Sequence, residues 1–246
     1  MSHVSHEQQN TVWFGISMVL IGVIAGYVLA LLTAANPVSA PTPREQPVPT
    51  VQAPEQLQDA ANVVPVDLSK DHVRGNKNAR IALIEYSDME CPYCKAVHPT
   101  YKQIVDQYGD KVMWVYRHFP LDFHANAMKQ AEASECVAEI GGEDAFWKYV
   151  DAIYDRTQSG GQGFPLSELG PLAAEIGVNQ GRFQACLDSG KYAPVITEQM
   201  QAAKNSGVQG TPGNILYNTK TERGVLFPGA RSFASFEEEI LKMLNK

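Results

Sequence analysis

Two cysteines separated by two residues, Cys91-Pro92-Tyr93-Cys94, follow directly on the apolar run Ile81-Ala82-Leu83-Ile84-Glu85-Tyr86-Ser87. They open a segment of helical spacing that runs from Lys95 to about Tyr108. At a strand-to-helix junction such a pair can close a small disulfide, and the backbone N–H groups of the helix start favour a thiolate on the leading sulfur. The chemistry this implies is electron transfer by thiol–disulfide exchange. Cys91 is then expected to be an exposed thiol at the helix N-cap, and Cys94, one turn in, a buried thiol that resolves the mixed disulfide. Pro92 and Tyr93, between the sulfurs, tune the balance between thiol and disulfide. Asp88 and Glu90 add negative charge beside the pair and are expected to oppose a thiolate.

Other chemistries fit the pair less well. A zinc site needs two further ligands; only His98 lies at suitable spacing, and Cys136 and Cys186 do not form a second pair, so no metal is expected. Covalent haem needs a histidine after the second cysteine, where this chain has Lys95. A purely structural disulfide leaves the helix-cap placement without a reason. No cofactor is expected. Glu85 stands out for another cause: it interrupts an apolar strand six residues before Cys91. A buried carboxyl there has a raised pKa and can exchange a proton with the buried thiol, whereas one at an open strand end is solvated and idle. His98 is expected on the helix surface.

The elements that hold these residues read as an α/β domain. A strand at 81–87 leads through the cysteine pair into a helix at 92–108, and Val112-Met113-Trp114-Val115-Tyr116-Arg117 completes a β-α-β unit. Helical patterns then fill roughly 125–206, broken at glycine pairs and single glycines. After Thr211-Pro212 come two short strands, Asn214–Tyr217 and Gly224–Phe227, and a final helix from Phe233 to Leu244 with Phe233, Phe236, Ile240, Leu241 and Leu244 on one face. One sheet interrupted by a helical insert at about 122–206 accounts for this order.

The N-terminal quarter has a different character. After a short tail, 1–11, the segment 12–35 is apolar from Val12 to Leu32, long enough at a helical rise of about 1.5 Å per residue to cross a bilayer. It is expected to be an uncleaved transmembrane signal-anchor; a cleaved signal peptide, with Val38-Ser39-Ala40 as the cleavage site, is the alternative. Residues 36–66 hold seven prolines and no glycine, which predicts an extended, semi-rigid linker. The domain proper is expected at 67–246. Its 19 basic and 23 acidic residues, in a chain of net charge −7, exclude a basic footprint for nucleic acid.

The order of elements, together with Asp88-Met89-Glu90-Cys91-Pro92-Tyr93-Cys94-Lys95, Arg117-His118-Phe119-Pro120-Leu121, Gly210-Thr211-Pro212 and Cys186-Leu187-Asp188-Ser189-Gly190-Lys191-Tyr192, resembles the DsbA-like branch of the thioredoxin superfamily. The resemblance implies a thioredoxin fold with a helical insert and a thiol–disulfide oxidoreductase that introduces disulfides into exported proteins. A reductase or isomerase with the same residues and a tethered client-binding module without turnover are the rivals. It implies a cis bond between Thr211 and Pro212, which would face the cysteines and offer backbone to an extended client. It implies an acidic residue at the position of Glu85, and, for an exported domain, a structural disulfide between Cys136 and Cys186, which otherwise read as two buried thiols. Partners would be reduced or unfolded secreted proteins and a quinone-linked membrane reoxidant, the chain itself being a membrane-anchored monomer with its catalytic domain outside the cytoplasm. The strongest oxidants of the family carry a histidine where this chain has Tyr93, so a milder oxidant is expected.

Overall fold

A computed structural model describes residues 57–158 and 163–245 of the 246-residue chain. The expected anchor at 12–35 and residues 36–56 of the expected linker lie outside the described residues. Among the described residues no helix is long and apolar enough to cross a membrane.

The sheet has six strands in the order β1-β6-β5-β3-β4-β2. The strands are β1 (Asp59–Ala60), β2 (His72–Gly75), β3 (Ile81–Ser87), β4 (Val112–His118), β5 (Gly213–Asn218) and β6 (Arg223–Leu226). β3 and β4 run parallel, joined by helix α1 (Pro92–Tyr108), and every other pairing is antiparallel. All seven residues of β3 are buried, because a central strand between β5 and β4 is covered on both faces. That is why its sequence reads as a nearly unbroken apolar run and why Glu85 within it is conspicuous.

Alternation along β3 sends its side chains into two cores. Ile81 and Leu83 join Trp114, Tyr116, Phe146, Tyr154 and Phe236 in the larger one, built with α1 and most of the insert. Ala82, Ile84 and Tyr86 join Val115, Ala203 and Tyr217 in the smaller one on the opposite face. Between β4 and β5 come α2 (Ala127–Gly141), α3 (Glu143–Arg156), a 3-10 turn (Leu166–Glu168), α4 (Leu169–Glu175), α5 (Gln180–Ser189) and α6 (Ala193–Asn205); α7 (Phe233–Leu244) closes the domain. A disulfide joins Cys136 in α2 to Cys186 in α5. The fold is a thioredoxin fold interrupted by a helical insert.

The structure corrects the start of the domain. Residues 57–66, read from composition as part of a spacer, pack onto it. Asp59 and Ala60 pair with Val225 and Gly224, Leu57 packs against the larger core, and Val63 and Val66 pack against the smaller one. The buried Arg117 guanidinium donates to the carbonyls of Val64 and Pro65 at 3.0 Å each while pairing with Asp71 at 2.8 Å. Proline and polar residues mask these contacts in the sequence, because the strand pairing and the bonds to Arg117 are made by backbone.

Candidate active site

Cys91 is the N-cap of α1 and Pro92 its first residue, where a fixed φ and a missing N–H suit a helix start. The Cys91 N–H donates to the Asp88 carbonyl, and its own carbonyl accepts the first helical hydrogen bond, from Lys95. Cys94 is fully buried, and both cysteines are free thiols. Cys91, expected to be exposed, shows only 3% of its surface. The loop that covers it is the one ahead of β5: the Cys91 thiol lies 3.4 Å from the Thr211 carbonyl oxygen, and the Thr211–Pro212 bond is cis.

The two thiols are driven apart electrostatically. The Cys91 thiol is lowered to about 6, first by a hydrogen bond from the Cys94 thiol; the backbone N–H groups of Cys94 and Tyr93 add to this against the opposing effect of burial. Burial pushes the Cys94 thiol well up, and the nearby Cys91 and Glu85 push it further. One sulfur is thus a thiolate near neutrality and the other a protonated reserve.

The acidic flank does not act as the sequence suggests. Asp88 and Glu90 are buried and committed to the segment after β4. Asp88 accepts from the Leu121 N–H at 2.7 Å, from the Glu90 N–H at 2.8 Å and from His124 Nδ1 at 2.8 Å, and Glu90 accepts from the Asn126 N–H at 2.9 Å. Both carboxyls are engaged in fixing that loop, and Cys91 is lowered beside them.

Glu85 is fully buried, and burial raises its carboxyl to about 8. Trp114 Nε1 donates to its Oε2 at 2.9 Å, and Ser87 Oγ lies 2.5 Å from its Oε1. His98, expected on the helix surface, is 3% exposed, with Nε2 2.7 Å from Asp151 of α3. Its placement could not be read locally because its partner is 53 residues away. Tyr93 is 66% exposed beside the sulfurs.

Several site residues carry no motif. Asn214, opposite Glu85 in the β3–β5 register, accepts from the Tyr101 hydroxyl of α1 at 2.6 Å and donates to the carbonyls of Phe227 at 2.9 Å and Gly229 at 3.0 Å. The Gly229 N–H returns a bond to the Pro212 carbonyl, so the cis-proline loop is held from two sides. Ser87 and Tyr154, 2.7 Å apart, lie beside Glu85; strand alternation from Glu85 is the sequence signal that points to Ser87. A cavity of about 420 Å³ opens beside this loop, lined by Leu57, Val208, Gly210, Thr211, Pro212, Leu226 and Pro228 among others. Among the described residues no cluster of His, Cys, Asp or Glu has the arrangement of a metal site.

A helix-capping Cys-Pro-Tyr-Cys pair under a cis-proline loop, on a thioredoxin sheet with a helical insert between β4 and β5, defines a member of the DsbA-like thioredoxin superfamily. Residues 67–225 match the family model described as thioredoxin, and the chain belongs to that family. Among solved structures it is similar to DsbA2 of Pseudomonas aeruginosa, with 29% identity and a TM-score of 0.60 over 70% of this chain and 94% of that one. BdbD of Bacillus subtilis in its oxidised form shares the fold at a TM-score of 0.64 and 22% identity, covering 77% of this chain and all of that one. Curated relatives include Na(+)/H(+) antiporters NhaA, among them one from Salinispora tropica, 36% identical over 61% of this chain, and one from Herminiimonas arsenicoxydans, 33% identical over 60%. This chain spans about a fifth of those proteins, 22% in each case.

Proposed function

We propose that this protein is a thiol–disulfide oxidoreductase that introduces disulfides into exported proteins through Cys91 and Cys94. The observation that carries the reading is the split between the two thiols beneath the cis Thr211–Pro212 loop. A client thiolate attacks Cys91 Sγ of the disulfide form, the Cys91–Cys94 bond breaks, and Cys94 takes the electron pair. A second client thiolate then attacks the client sulfur of the mixed disulfide, and Cys91 leaves as the stabilised thiolate. The client gains a disulfide, and the pair ends as two thiols. The cavity beside Pro212 offers the client an apolar groove, with the backbone before the cis bond as a ledge for an extended segment.

The same split supports the oxidising direction. A low thiol pKa stabilises the reduced form, and about 6 for Cys91 lies between values of about 3.5 for a strong oxidant and about 7 for a reductant. The protein is therefore a milder oxidant, with a reduction potential between about −120 mV and about −270 mV. Its setting on this reading is the outer side of a membrane, tethered by residues 12–35, with reduced secreted proteins as clients and a quinone-linked membrane protein as reoxidant. The chain acts as a monomer. The antiporter names of the curated relatives describe much longer proteins, and ion transport is not proposed for this chain.

The test is the Cys91→Ser variant in cells whose envelope proteins are followed by thiol trapping. Client disulfides are expected to fall to the level seen without the protein. Unchanged client oxidation overturns the reading in favour of a binding module, and a glutathione-equilibrated potential at or below about −270 mV overturns the oxidising direction.

A further inference from the structure

The segment that leads into β2 and the helix α6 enclose a second groove, of about 620 Å³. It is larger than the cavity beside the cis-proline loop and shares no residue with it. Its floor is closed by the domain's own ion pairs. Arg117 holds Asp71 at 2.8 Å, and His72 is shared between Glu135 at 3.3 Å and Glu143 at 2.9 Å. These groups are committed to one another.

The rim is different. Among the described residues seven large apolar side chains stand exposed, and three of them line this groove: Val64 at 46%, Leu68 at 48% and Val195 at 42%. Val195, Glu198 and Ala202 recur at helical spacing on α6, so that helix presents one continuous stripe to the groove. Glu198 is exposed and forms no ion pair among the described residues. Asp67 has Lys70 as its ionic partner, at 3.8 Å, and so long a pair at the surface neutralises little in water. Six carboxylates in all line the groove against Lys70, Arg117 and His72, with Lys191 meeting Glu139 from outside it. With His72 protonated, the balance is two negative charges.

Exposed apolar side chains are ordinary when scattered. Three that converge on one concave wall, beside carboxylates without a close cation, are the complement of a segment apolar on one side and basic on the other. We propose that this groove is a docking site for a basic amphipathic helix of a partner protein. Its apolar residues would cover Val64, Leu68 and Val195, and its lysines or arginines would meet Asp67 and Glu198. The proposal goes beyond the redox reading, because no residue of the groove belongs to the cysteine pair or to the cis-proline loop. Other occupants match the rim poorly. An anionic lipid surface brings negative charge to negative charge, and a second copy of this chain, at net charge −7, does the same.

The test uses the full-length chain in phosphatidylcholine nanodiscs. The probe is a fluorescent helical peptide with leucines along one face, lysines on the other and one benzoylphenylalanine for photocrosslinking. Anisotropy, read against empty discs, is expected to show binding, and the crosslinks are expected to map to residues 64–70 and 195–202. The same peptide with glutamates in place of lysines is expected to bind at least about tenfold more weakly. Asp67→Lys combined with Glu198→Lys is expected to weaken the lysine peptide by about tenfold or more, and Leu68→Ser combined with Val195→Ser to do likewise. Leu241→Ser combined with Glu238→Lys, an exposed apolar and acidic pair on α7, is the control and should leave binding within about twofold of wild type. A denaturation midpoint equal to that of wild type in each variant separates lost binding from lost folding.

Absence of binding at about 1 mM peptide, equal binding of the two peptides, crosslinks outside the groove, or groove variants that bind as wild type each overturns the inference. A chain carrying benzoylphenylalanine at Leu68 tests the other occupants. Crosslinking to a second copy overturns the inference in favour of self-association. Crosslinking to phosphatidylglycerol, when that lipid is placed in the discs, overturns it in favour of a lipid surface.

Discussion

At the scale of single residues, the site works by setting two identical side chains in opposite states. Cys91 gains hydrogen bonds from Cys94 and the helix start, whereas Cys94 loses water and faces Glu85. Cys94→Ala removes the group that lowers Cys91 most, so the Cys91 pKa is expected to rise from about 6, read as thiolate absorbance against pH. An unmoved titration means that Cys94 contributes nothing to the thiolate. Much of this was legible: Cys91 and Cys94 from spacing, Pro212 from the resemblance, Glu85 from its intrusion into an apolar strand. The burial of Cys91 and His98 was not legible, because it is imposed by a loop 120 residues downstream and by an aspartate on another helix.

At the scale of elements, the insert is fastened to the sheet by buried charge. His72 of β2 lies between Glu135 of α2 at 3.3 Å and Glu143 of α3 at 2.9 Å, its ring stacked on Phe146 at 3.4 Å. His118 at the end of β4 approaches Glu135 from the other side at 3.2 Å. Burial opposes the charge on His72, but its hydrogen bonds to Glu135 and Glu143 outweigh burial and raise it to about 9. A folded pKa above the unfolded value of 6.5 means that this stabilisation is complete below pH 6.5 and is lost as pH rises through about 9. His72→Gln is expected to cost about 3 kcal/mol at pH 6, since it removes the cation shared by Glu135 and Glu143, and the gap to wild type should close by pH 9 in denaturant titrations. A gap constant with pH would assign the loss to packing on Phe146 alone. The central strands and α1 were legible because apolar runs and helical spacing announce them. β2, with the sequence His-Val-Arg-Gly, was not, because its residues are chosen for partners on α2 and α3 and carry no alternation.

At the scale of the whole molecule, the folded unit begins earlier than composition suggests. A chain starting at residue 67 retains every catalytic group but loses β1, the Leu57 packing and the two carbonyls that satisfy Arg117. Each buried donor left without a partner costs about 1–3 kcal/mol. The 67–246 fragment is therefore expected to unfold at lower denaturant than 55–246, by about 2 kcal/mol or more, with its thiol titration unchanged. Equal midpoints would return residues 57–66 to the role of a spacer.

The two-residue strand β1 has a further consequence. It lies along β6, whose outer margin would otherwise present unpaired backbone groups, and such a margin templates any extended chain that meets it. On the proposed function, the protein meets such chains in every cycle. Asp59 and Ala60 cover that margin at Val225 and Gly224, and on the proposed function the Thr211 backbone is the client's landing point near the sulfurs. On that same reading, a client that has received its disulfide can then depart and fold, which frees the protein for the next one.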